Sequence, residues 1–347
     1  MSDKGHLLTT LLKNVSRSFY LTIRVLPRDL REPVGLAYLL ARAADTIADT
    51  QIVAPAQRLE LLLAFRRQVN EPLREDEVRR IEAAVSQHQA DPHEKRLLQS
   101  LVPALKLLST LDDHDRHEVR RVVTTLTTGM EQDLTVFPLE TSGKIAALPT
   151  CADLDRYIYL VAGCVGEFWT NMTVTHTPEL RGWDISVTSA CGVRFGKALQ
   201  MTNVLRDCPR DLRIGRCYLP LERLRAHKLT PEDLLKAENS ARARPVLVEM
   251  LRITLGHYRE AQRYLLAIPP PCSRLRLACL WPIMIGLATL KKLAANPVWL
   301  DPAKPTMVSR AYVYKTMAIS LPAVGSDKIV RGWISRLLIG VEDAMNG

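Results

Sequence analysis

Aromatic residues are scarce in this chain of 347 residues, because Phe, Trp and Tyr together make up 5% of it. Alternating apolar and polar runs of useful length are also missing, and both absences argue against a β-sandwich or a β-barrel. Hydrophobic residues nevertheless make up 47% of the chain, and Leu and Ala are abundant. This composition favours packed helices. The sequence therefore predicts an all-α protein.

The chain also lacks a C-x-x-C pair among its seven cysteines, and it lacks a long uninterrupted apolar run. An odd number of scattered cysteines indicates a reducing, cytoplasmic setting. The most apolar stretch, from Leu275 to Leu290, contains Arg276 and Pro282 and falls short of a membrane-spanning helix. The first residues are too polar for a signal peptide. We therefore expect a cytoplasmic protein and leave open peripheral contact with the inner face of the membrane.

No dense basic run, zinc-ligand cluster or RNP-like aromatic strand accompanies the net charge of +10. Such a charge suits anionic partners, which include nucleic acid, acidic lipid headgroups and phosphorylated substrates. The basic residues are interleaved with acids, as on a solvated helical surface. We therefore expect no nucleic-acid partner, although the charge alone decides nothing.

Apolar residues recur at helical spacing from Val34 to Asp49, where Leu36, Leu39, Leu40, Ala43 and Ile47 are three or four positions apart. Pro33 is expected near the first turn of this helix. Similar patterns predict further helices over 56–70, 74–90, 94–110, about 115–134, 153–172, 188–208, 221–226, 231–238, 243–266, 273–294 and 327–345. The economical interpretation is one helical domain over residues 1–347, with loops near 135–150, 209–220 and 296–306.

An acidic pair ends the first of these helices. Asp45 and Asp49 lie four residues apart and share one helix face, where like charges repel each other. Arg42 precedes Asp45 by three residues and lies on the same side. In isolation, such a pair is most often a surface pair balanced by the arginine.

A second polar series runs through the segment QMTNVLRDCPRD. Gln200, Asn203 and Asp207 follow an i, i+3, i+7 progression along one helix face, and Asp211 extends it past a helix end expected at Pro209. Carboxylate and amide oxygens are the ligands that Mg²⁺ accepts, usually together with water and substrate phosphate. Two such faces across a helix-lined cavity would hold Mg²⁺ ions around a diphosphate. The two segments together are far more specific than either alone.

Four segments resemble the squalene and phytoene synthase family, a branch of the all-α isoprenoid synthases: SRSFYLTIRVLP, YLLARAADTIAD, YIYLVAGCVGEFW and FGKALQMTNVLRDCPRDLRIGRCYLP. The resemblance extends from about Ser16 to Leu293. It implies a single large helical bundle with a central apolar cavity. The residues of the first two segments resemble those of squalene synthases more than those of phytoene synthases. The membrane anchor of the animal and fungal enzymes is missing, so the chain resembles the bacterial squalene synthases most.

The resemblance implies a Mg²⁺-dependent prenyl transferase that joins two molecules of farnesyl diphosphate head to head through presqualene diphosphate. NADPH would then reduce this intermediate to squalene. Two alternatives stay open. The chain could be a phytoene, dehydrosqualene or presqualene diphosphate synthase that performs no reduction, or a catalytically weakened member that serves as a binding or assembly partner. Prenyl length, C15 or C20, depends on the depth of the cavity and is not fixed by these motifs.

The two aspartate motifs of the family map onto this chain residue by residue. The resemblance implies that the Mg²⁺ ligands, which are also the acidic catalytic residues, are Asp45, Asp49, Asn203, Asp207 and Asp211. It implies that Arg42 and Arg206 bind diphosphate and that Gln200 has a positioning role in substrate binding.

The remaining candidates are also implied by the resemblance. Ser16, Ser18 and Phe19 match the flap at the mouth of the family's site, although Ser16 could be no more than a helix cap. Tyr157 would assist proton removal or stabilise the carbocation, and its structural alternative is a buried core aromatic. Arg310 lies in a segment that loosely resembles the NADPH contact of squalene synthases. Gly163 and Gly166 would make room for a prenyl tail or for a close helix contact.

Overall fold

The computed structural model describes residues 5–16, 19–50, 52–137 and 142–346, and it confirms the predicted all-α class. Contacts group the chain into two compact units. The first comprises Met1–Thr135 and Phe168–Pro178, and the second comprises Val136–Glu167 and Glu179–Gly347. The single domain over residues 1–347 and its central apolar cavity stay predictions, and each unit is described separately.

The helices of the first unit follow a π-helical turn at His6–Leu11, and α8 ends one residue beyond the unit. They are α1 (Leu12–Ser16), α2 (Phe19–Val25), α3 (Arg28–Asp49), α4 (Pro55–Asn70), α5 (Glu75–Val85), α6 (Pro92–Leu98), α7 (Leu101–Thr110) and α8 (Asp113–Val136). The predicted helix over 94–110 is thus two helices.

The second unit contains the longer helices, and its only strands in the described ranges are two residues each. Its elements are β1 (Ala146–Ala147), α9 (Cys151–Ile158), a π-helical turn (Tyr159–Gly163), α10 (Cys164–His176, which continues into the first unit), α11 (Ile185–Asp211), β2 (Arg216–Cys217), α12 (Leu221–Ala226), α13 (Ser240–Ala267), α14 (Ser273–Ala294), α15 (Arg310–Ser320) and α16 (Asp327–Asn346).

The apolar stripe of α3 lies in the core of the first unit, as its spacing predicts. Leu36, Leu40, Ala43 and Ile47 are all fully buried. The expected position of Pro33 is wrong, because α3 begins at Arg28 and Pro33 lies inside it. At this sixth position proline removes the hydrogen bond that would run to the carbonyl of Asp29, and its ring crowds that carbonyl, yet the helix continues through it.

Helix α11 also continues through a proline. It ends at Asp211 rather than before Pro209, and a 3₁₀ turn follows at Leu212–Ile214. The Arg213 guanidinium donates to the carbonyl of Pro209 and supports this last stretch. Gly215, with a φ of 82°, then reverses the chain in a conformation that favours glycine. Asp211 therefore stays on the helix, one turn beyond Asp207.

Small residues let α11 approach α10 and the π-helical turn at backbone distance. A Cβ atom placed on Gly166 would lie 1.9 Å from the carbonyl oxygen of Gly192. A Cβ on Gly196 would lie 2.2 Å from the carbonyl oxygen of Ala162. Of the two interpretations of Gly166, the structure shows the close helix contact.

Helix α14 is the one helix within the described ranges whose length and composition would allow it to cross a membrane. Its most apolar window is 78% buried inside the structure. Such burial is the usual environment of a core helix.

Candidate active site

The first acidic motif lies near the carboxyl end of α3 and centres on one arginine. The Arg42 guanidinium forms ion pairs with Asp45, one turn away, and with Glu94 on α6. Asp45 retains 39% of its side-chain exposure, and Asp49 is exposed. The motif therefore presents an arginine and two carboxylates at the end of an otherwise buried helix.

The charges of this motif perturb one another. Burial and the neighbouring Asp49 raise the pKa of Asp45 to about 6, and the Arg42 charge opposes this shift. Burial lowers the pKa of Arg42, but the charges of Asp45 and Glu94 outweigh it and raise that pKa. Two crowded carboxylates at this position are the situation that a cation relieves.

Glu94 is the member of this cluster that the sequence analysis missed. It lies in the first turn of α6, whose N-cap is Asp91, and 52 positions separate it from Arg42. Nothing in the local sequence distinguishes it from any other acid in the first turn of a helix. Its contact with Arg42 depends on the packing of α6 against α3.

The second acidic motif lies on the last turns of α11. The Arg206 guanidinium binds Asp207 through two parallel hydrogen bonds, Nε to Oδ1 at 2.9 Å and Nη2 to Oδ2 at 2.5 Å. Asn203 Nδ2 lies 3.5 Å from Gln200 Oε1. All four side chains and that of Asp211 are partly exposed. The hydrogen bonds that Arg206 donates to Asp207 outweigh the effect of burial and, together with the charges of Asp207 and Asp211, raise the pKa of Arg206.

Tyr157 lies on α9, whose start is fixed by a capping box between Thr150 and Asp153. Its buried ring stacks on Tyr218 with 4.7 Å between centroids and 21° between planes. The ring of Phe137 packs edge-on against the ring of Tyr218, with 5.1 Å between centroids. Tyr157 is therefore a buried aromatic, which fits either of the two interpretations. Its role in the reaction stays a prediction.

Tyr218 follows directly after the segment that leaves α11. There β1 and β2 pair in parallel, with Leu148 N donating to Cys217 O at 3.1 Å. This short pairing connects the start of α9 to the end of the second acidic motif. Tyr218 is within one of the segments that carry the resemblance, which was the available signal for it.

The flap candidates are only partly described. The Ser16 hydroxyl donates to the carbonyl of Leu12 at the end of α1, so the cap interpretation of Ser16 is wrong. Ser18 and the side chain of Phe19 lie outside the described residues. Arg310 is the exposed first residue of α15, and the Ser309 hydroxyl caps that helix by accepting from Tyr312 N at 3.2 Å.

The five predicted Mg²⁺ ligands are divided between the two units. Asp45 and Asp49 belong to the first, and Asn203, Asp207 and Asp211 belong to the second. Throughout the described part of the chain, no three His, Cys, Asp or Glu side chains lie together as a metal-binding group. A site that joins the two motifs stays a prediction.

The sequence model described as squalene/phytoene synthase matches residues 12–311, which include both acidic motifs. This chain belongs to the squalene/phytoene synthase family. The family resemblance stated from the motifs is therefore confirmed, and the match reaches Arg310 at the start of α15.

Both phytoene synthases and squalene synthases are similar in sequence to this chain. A bifunctional lycopene cyclase/phytoene synthase from Gibberella fujikuroi is 30% identical over 65% of this chain and 37% of its own length. A squalene synthase from Eremothecium gossypii is 27% identical over 82% of this chain and 61% of its own length. The chain thus spans between about a third and three fifths of these relatives.

The fold of this family member is also that of a solved structure, the complex of TcSQS with the ligand E5700. The TM-score is 0.77 at 20% sequence identity, and the alignment covers 99% of this chain and 98% of the other. This similarity confirms the isoprenoid synthase fold. The family consists of enzymes of the prenyl transferase type that act on isoprenyl diphosphates.

Proposed function

We propose that this chain is a Mg²⁺-dependent squalene synthase that condenses two molecules of farnesyl diphosphate through presqualene diphosphate and reduces the product with NADPH. One observation carries the proposal. Each of the two helices that bear the aspartate motifs holds a partly exposed arginine paired with a carboxylate of the same motif, Arg42 with Asp45 and Arg206 with Asp207. Cations of this kind recognise a diphosphate, and the adjoining acids recognise the metal that accompanies it.

The side chains of the two motifs fit Mg²⁺ by their chemistry. Asp45 and Asp49 are crowded carboxylates on one face, as the raised pKa of Asp45 indicates. Asn203, Asp207 and Asp211 add an amide and two carboxylates on α11. Diphosphate and water oxygens would complete the coordination, as is usual for this ion. When bound, the metal supplies Lewis-acid stabilisation to the departing pyrophosphate.

The arginines bind and orient the diphosphate. Arg206 already offers two parallel donors to a carboxylate, and a phosphate accepts the same fork. Arg42 offers its two terminal nitrogens to separate carboxylates. Loss of pyrophosphate leaves an allylic carbocation, so the charge on the leaving group must be held until it departs. Gln200 positions substrate beside Asn203, and Ser16, Ser18 and Phe19 are assigned to the flap.

Tyr157 is assigned to the carbocation. Its ring is fixed by stacking on Tyr218, and a fixed π face stabilises a cation without reorganisation. Its hydroxyl is the proposed assistant in proton removal. Apolar surroundings keep water away from the cation, which would otherwise be quenched to an alcohol.

Reduction is the finer part of the proposal. NADPH would supply the hydride that replaces the diphosphate of the cyclopropyl intermediate as its ring opens. Arg310 is exposed at the start of α15, and a guanidinium suits the phosphates of this cofactor. We also propose a cytoplasmic location, which is supported by the absence of disulfides among the seven cysteines.

The second candidate is a synthase that performs no reduction and forms phytoene, dehydrosqualene or presqualene diphosphate. The 30% identity to the bifunctional phytoene synthase protein favours it. The two candidates share the first half-reaction and the same motif residues, so they differ in cofactor use and in product.

Product analysis distinguishes the candidates. Purified protein is incubated with farnesyl diphosphate and Mg²⁺, with and without NADPH, and a chelator serves as the control for the metal. Squalene that appears only with NADPH is the expected result. Presqualene diphosphate, hydroxysqualene or dehydrosqualene that persists with NADPH would overturn the reductive step. No turnover of farnesyl diphosphate, followed by phytoene from geranylgeranyl diphosphate, would overturn the choice of substrate. No turnover of either would favour the binding or assembly partner.

A further inference from the structure

A stretch of 25 residues in the second unit contains no carboxylate. It runs from residue 302 to residue 326, between Asp301 and Asp327, and it includes Lys304, Arg310 and Lys315. With three cations and no acid, this stretch is a segment of net positive charge. It comprises the approach to α15, that helix itself and the turn that follows it.

The two flanking acids are occupied by local contacts. Asp327 accepts a hydrogen bond of 2.5 Å from the guanidinium of Arg276, which is fully buried. Asp301 Oδ1 accepts from the backbone N–H of Ala303 at 2.9 Å. By contrast, Lys304, Arg310 and Lys315 are exposed, and none has an ion-pair partner within the described ranges. The positive charge of the segment is therefore available to an external anion.

Apolar side chains share the same outward surface. On α15, Arg310, Tyr314 and Ala318 are four residues apart, and so are Ala311, Lys315 and Ile319. These two rows lie side by side on one helix face, and all six residues are exposed. The exposed fraction is 64% for Tyr314 and 43% for Ile319. Met307, three residues before the helix, is 63% exposed, and Leu321, directly after it, is 59% exposed.

The opposite side of this segment is attached to the core helix α14. Trp281 Nε1 donates to Ser320 Oγ at 2.8 Å, and Lys292 Nζ donates to the carbonyl of Met307 at 3.0 Å. Asn296 Nδ2 donates to Thr306 Oγ1 at 3.2 Å. The outward residues are thus presented on a supported backbone, and folding of the second unit leaves them uncovered.

We propose that this basic apolar surface, formed by Lys304, Met307, Tyr314, Lys315, Ile319 and Leu321, docks the protein onto an anionic membrane surface. Charge complementarity selects the occupant, because acidic headgroups attract exposed cations that form no ion pair within the described residues. Apolar side chains beside those cations enter the boundary between headgroups and acyl chains, and tyrosine is favoured at that depth. The proposal concerns where the enzyme acts and does not depend on whether its product is reduced.

Vesicle binding tests the proposal directly. The full chain is mixed with vesicles of phosphatidylcholine, with or without phosphatidylglycerol as the anionic lipid, and the bound fraction is measured by flotation. We expect binding that requires the anionic lipid and weakens as salt is added. Hydrogen exchange on the same samples should show protection of amides in residues 307–322 when vesicles are present.

Paired variants separate charge from apolar contact. Lys304→Gln with Lys315→Gln should weaken vesicle binding about 25-fold, at about five-fold for each lost cation. Tyr314→Ser with Leu321→Ser should weaken it about ten-fold or more by removing apolar surface. The matched control is Leu235→Ser with Lys236→Gln, an exposed apolar and basic pair elsewhere in the unit, which should leave binding unchanged. Unaltered thermal unfolding of each variant excludes a general loss of structure.

Three results would overturn the proposal. The first is no binding to anionic vesicles, and the second is equal loss of binding in the control and in the two surface variants. The third is self-association of the free protein that the Tyr314 and Leu321 variant abolishes, since a second copy would then cover this surface.

Discussion

The two helices that carry the aspartate motifs, α3 and α11, reach similar chemistry by different packing. Helix α3 is held by a regular stripe of buried leucine and alanine, and its motif arginine is shared between two carboxylates. Helix α11 is held by glycine contacts at backbone distance and by a buried hydrogen bond of 2.8 Å between Thr202 and Tyr258. Its motif arginine binds one adjacent carboxylate.

This difference in packing affects how firmly each helix holds the position of its motif. A helix set by apolar side chains can shift slightly as they repack, whereas a helix set by backbone contact has a fixed distance to its neighbour. The position of α11, and with it that of its acids, therefore depends on backbone contacts, which side-chain rotation does not change. The predictions below separate chemistry shared by the two helices from the stability that each owes to its packing.

The largest effect is expected where the two helices should behave alike. Asp45→Asn on α3 and Asp207→Asn on α11 should each lower kcat by about 1,000-fold or more, because each removes a charge proposed to hold the metal beside the diphosphate. Steady-state turnover of farnesyl diphosphate measures this. Asp113→Asn changes an exposed acid of α8 in the same way and should retain full activity. Undiminished activity in both motif variants would refute the metal-site assignment.

A second variant tests the backbone contact that distinguishes α11. Gly166→Ala would place a methyl group 1.9 Å from the Gly192 carbonyl, so the helices must separate and the free energy of unfolding should fall by about 3 kcal/mol. Urea denaturation measures it. The control is Gly332→Ala on α16, where no atom lies within 4 Å of the new methyl group. That change should stabilise the protein by up to about 1 kcal/mol. Equal effects of the two variants would mean that the α10–α11 contact adjusts freely.

The buried His257 on α13, near the basic residues of α11, gives a pH test. Burial, followed by the charges of Arg194 and Lys197, lowers the pKa of His257 to about 4, against a smaller opposite effect of Asp155 on α9. The unfolded chain takes up the proton near pH 6.5, whereas the native protein does so only near pH 4. Stability from the neutral imidazole is thus present above about pH 6.5 and lost as the pH falls towards 4, by about 3 kcal/mol.

His257→Gln removes this titration and should flatten that part of the stability curve. Chemical denaturation at a series of pH values compares the variant with the parent protein, so that carboxylates common to both cancel. Parallel curves for the two proteins would contradict the prediction. The first unit offers a matched control in His117→Gln, because His117 is exposed on α8, and this change should alter the free energy of unfolding by less than about 0.5 kcal/mol.

The smallest difference concerns the two arginines. Arg42→Ala leaves two partly buried carboxylates without their shared cation and should cost about 1–2 kcal/mol of unfolding free energy. Arg206→Ala breaks one more exposed pair and should cost less than about 1 kcal/mol. Denaturant titration of both variants, with Arg79→Ala as an exposed control on α5, measures the order. A larger cost at Arg206 would reverse the comparison.

Much of the fold could be predicted from local spacing. The apolar period from Val34 to Asp49 identifies α3 and the residues that it buries, and the patterns of α13 and α14 are similarly regular. The prolines are poor guides to the helix ends, because Pro33 and Pro209 lie within helices that begin after Pro27 and end before Gly215. A proline signals a missing hydrogen bond but not whether neighbouring packing compensates for it.

The motif residues could be predicted from the sequence, but the residues that contact them could not. Asp45, Asp207 and Arg206 could be named because the family spacing is short and local. Glu94 and Tyr218 contact Arg42 and Tyr157 only through the packing of distant segments. The two-residue pairing of β1 and β2 also has no periodicity to detect, since each strand spans a single repeat of an alternating pattern.

The π-helical turn at Tyr159–Gly163 changes the direction in which the side chains after it point around the helix axis. One additional residue in a helical turn rotates everything that follows by about 100°. The rotation lets Tyr157 meet Tyr218 while Gly166, further along, still faces Gly192. Deleting a single residue such as Ala162 would straighten the turn and misalign the two halves. An insertion or deletion in this short stretch would therefore rotate the helix face that carries Gly166 relative to the face that carries Tyr157. Homologous chains should keep the length of the stretch even where its residues differ.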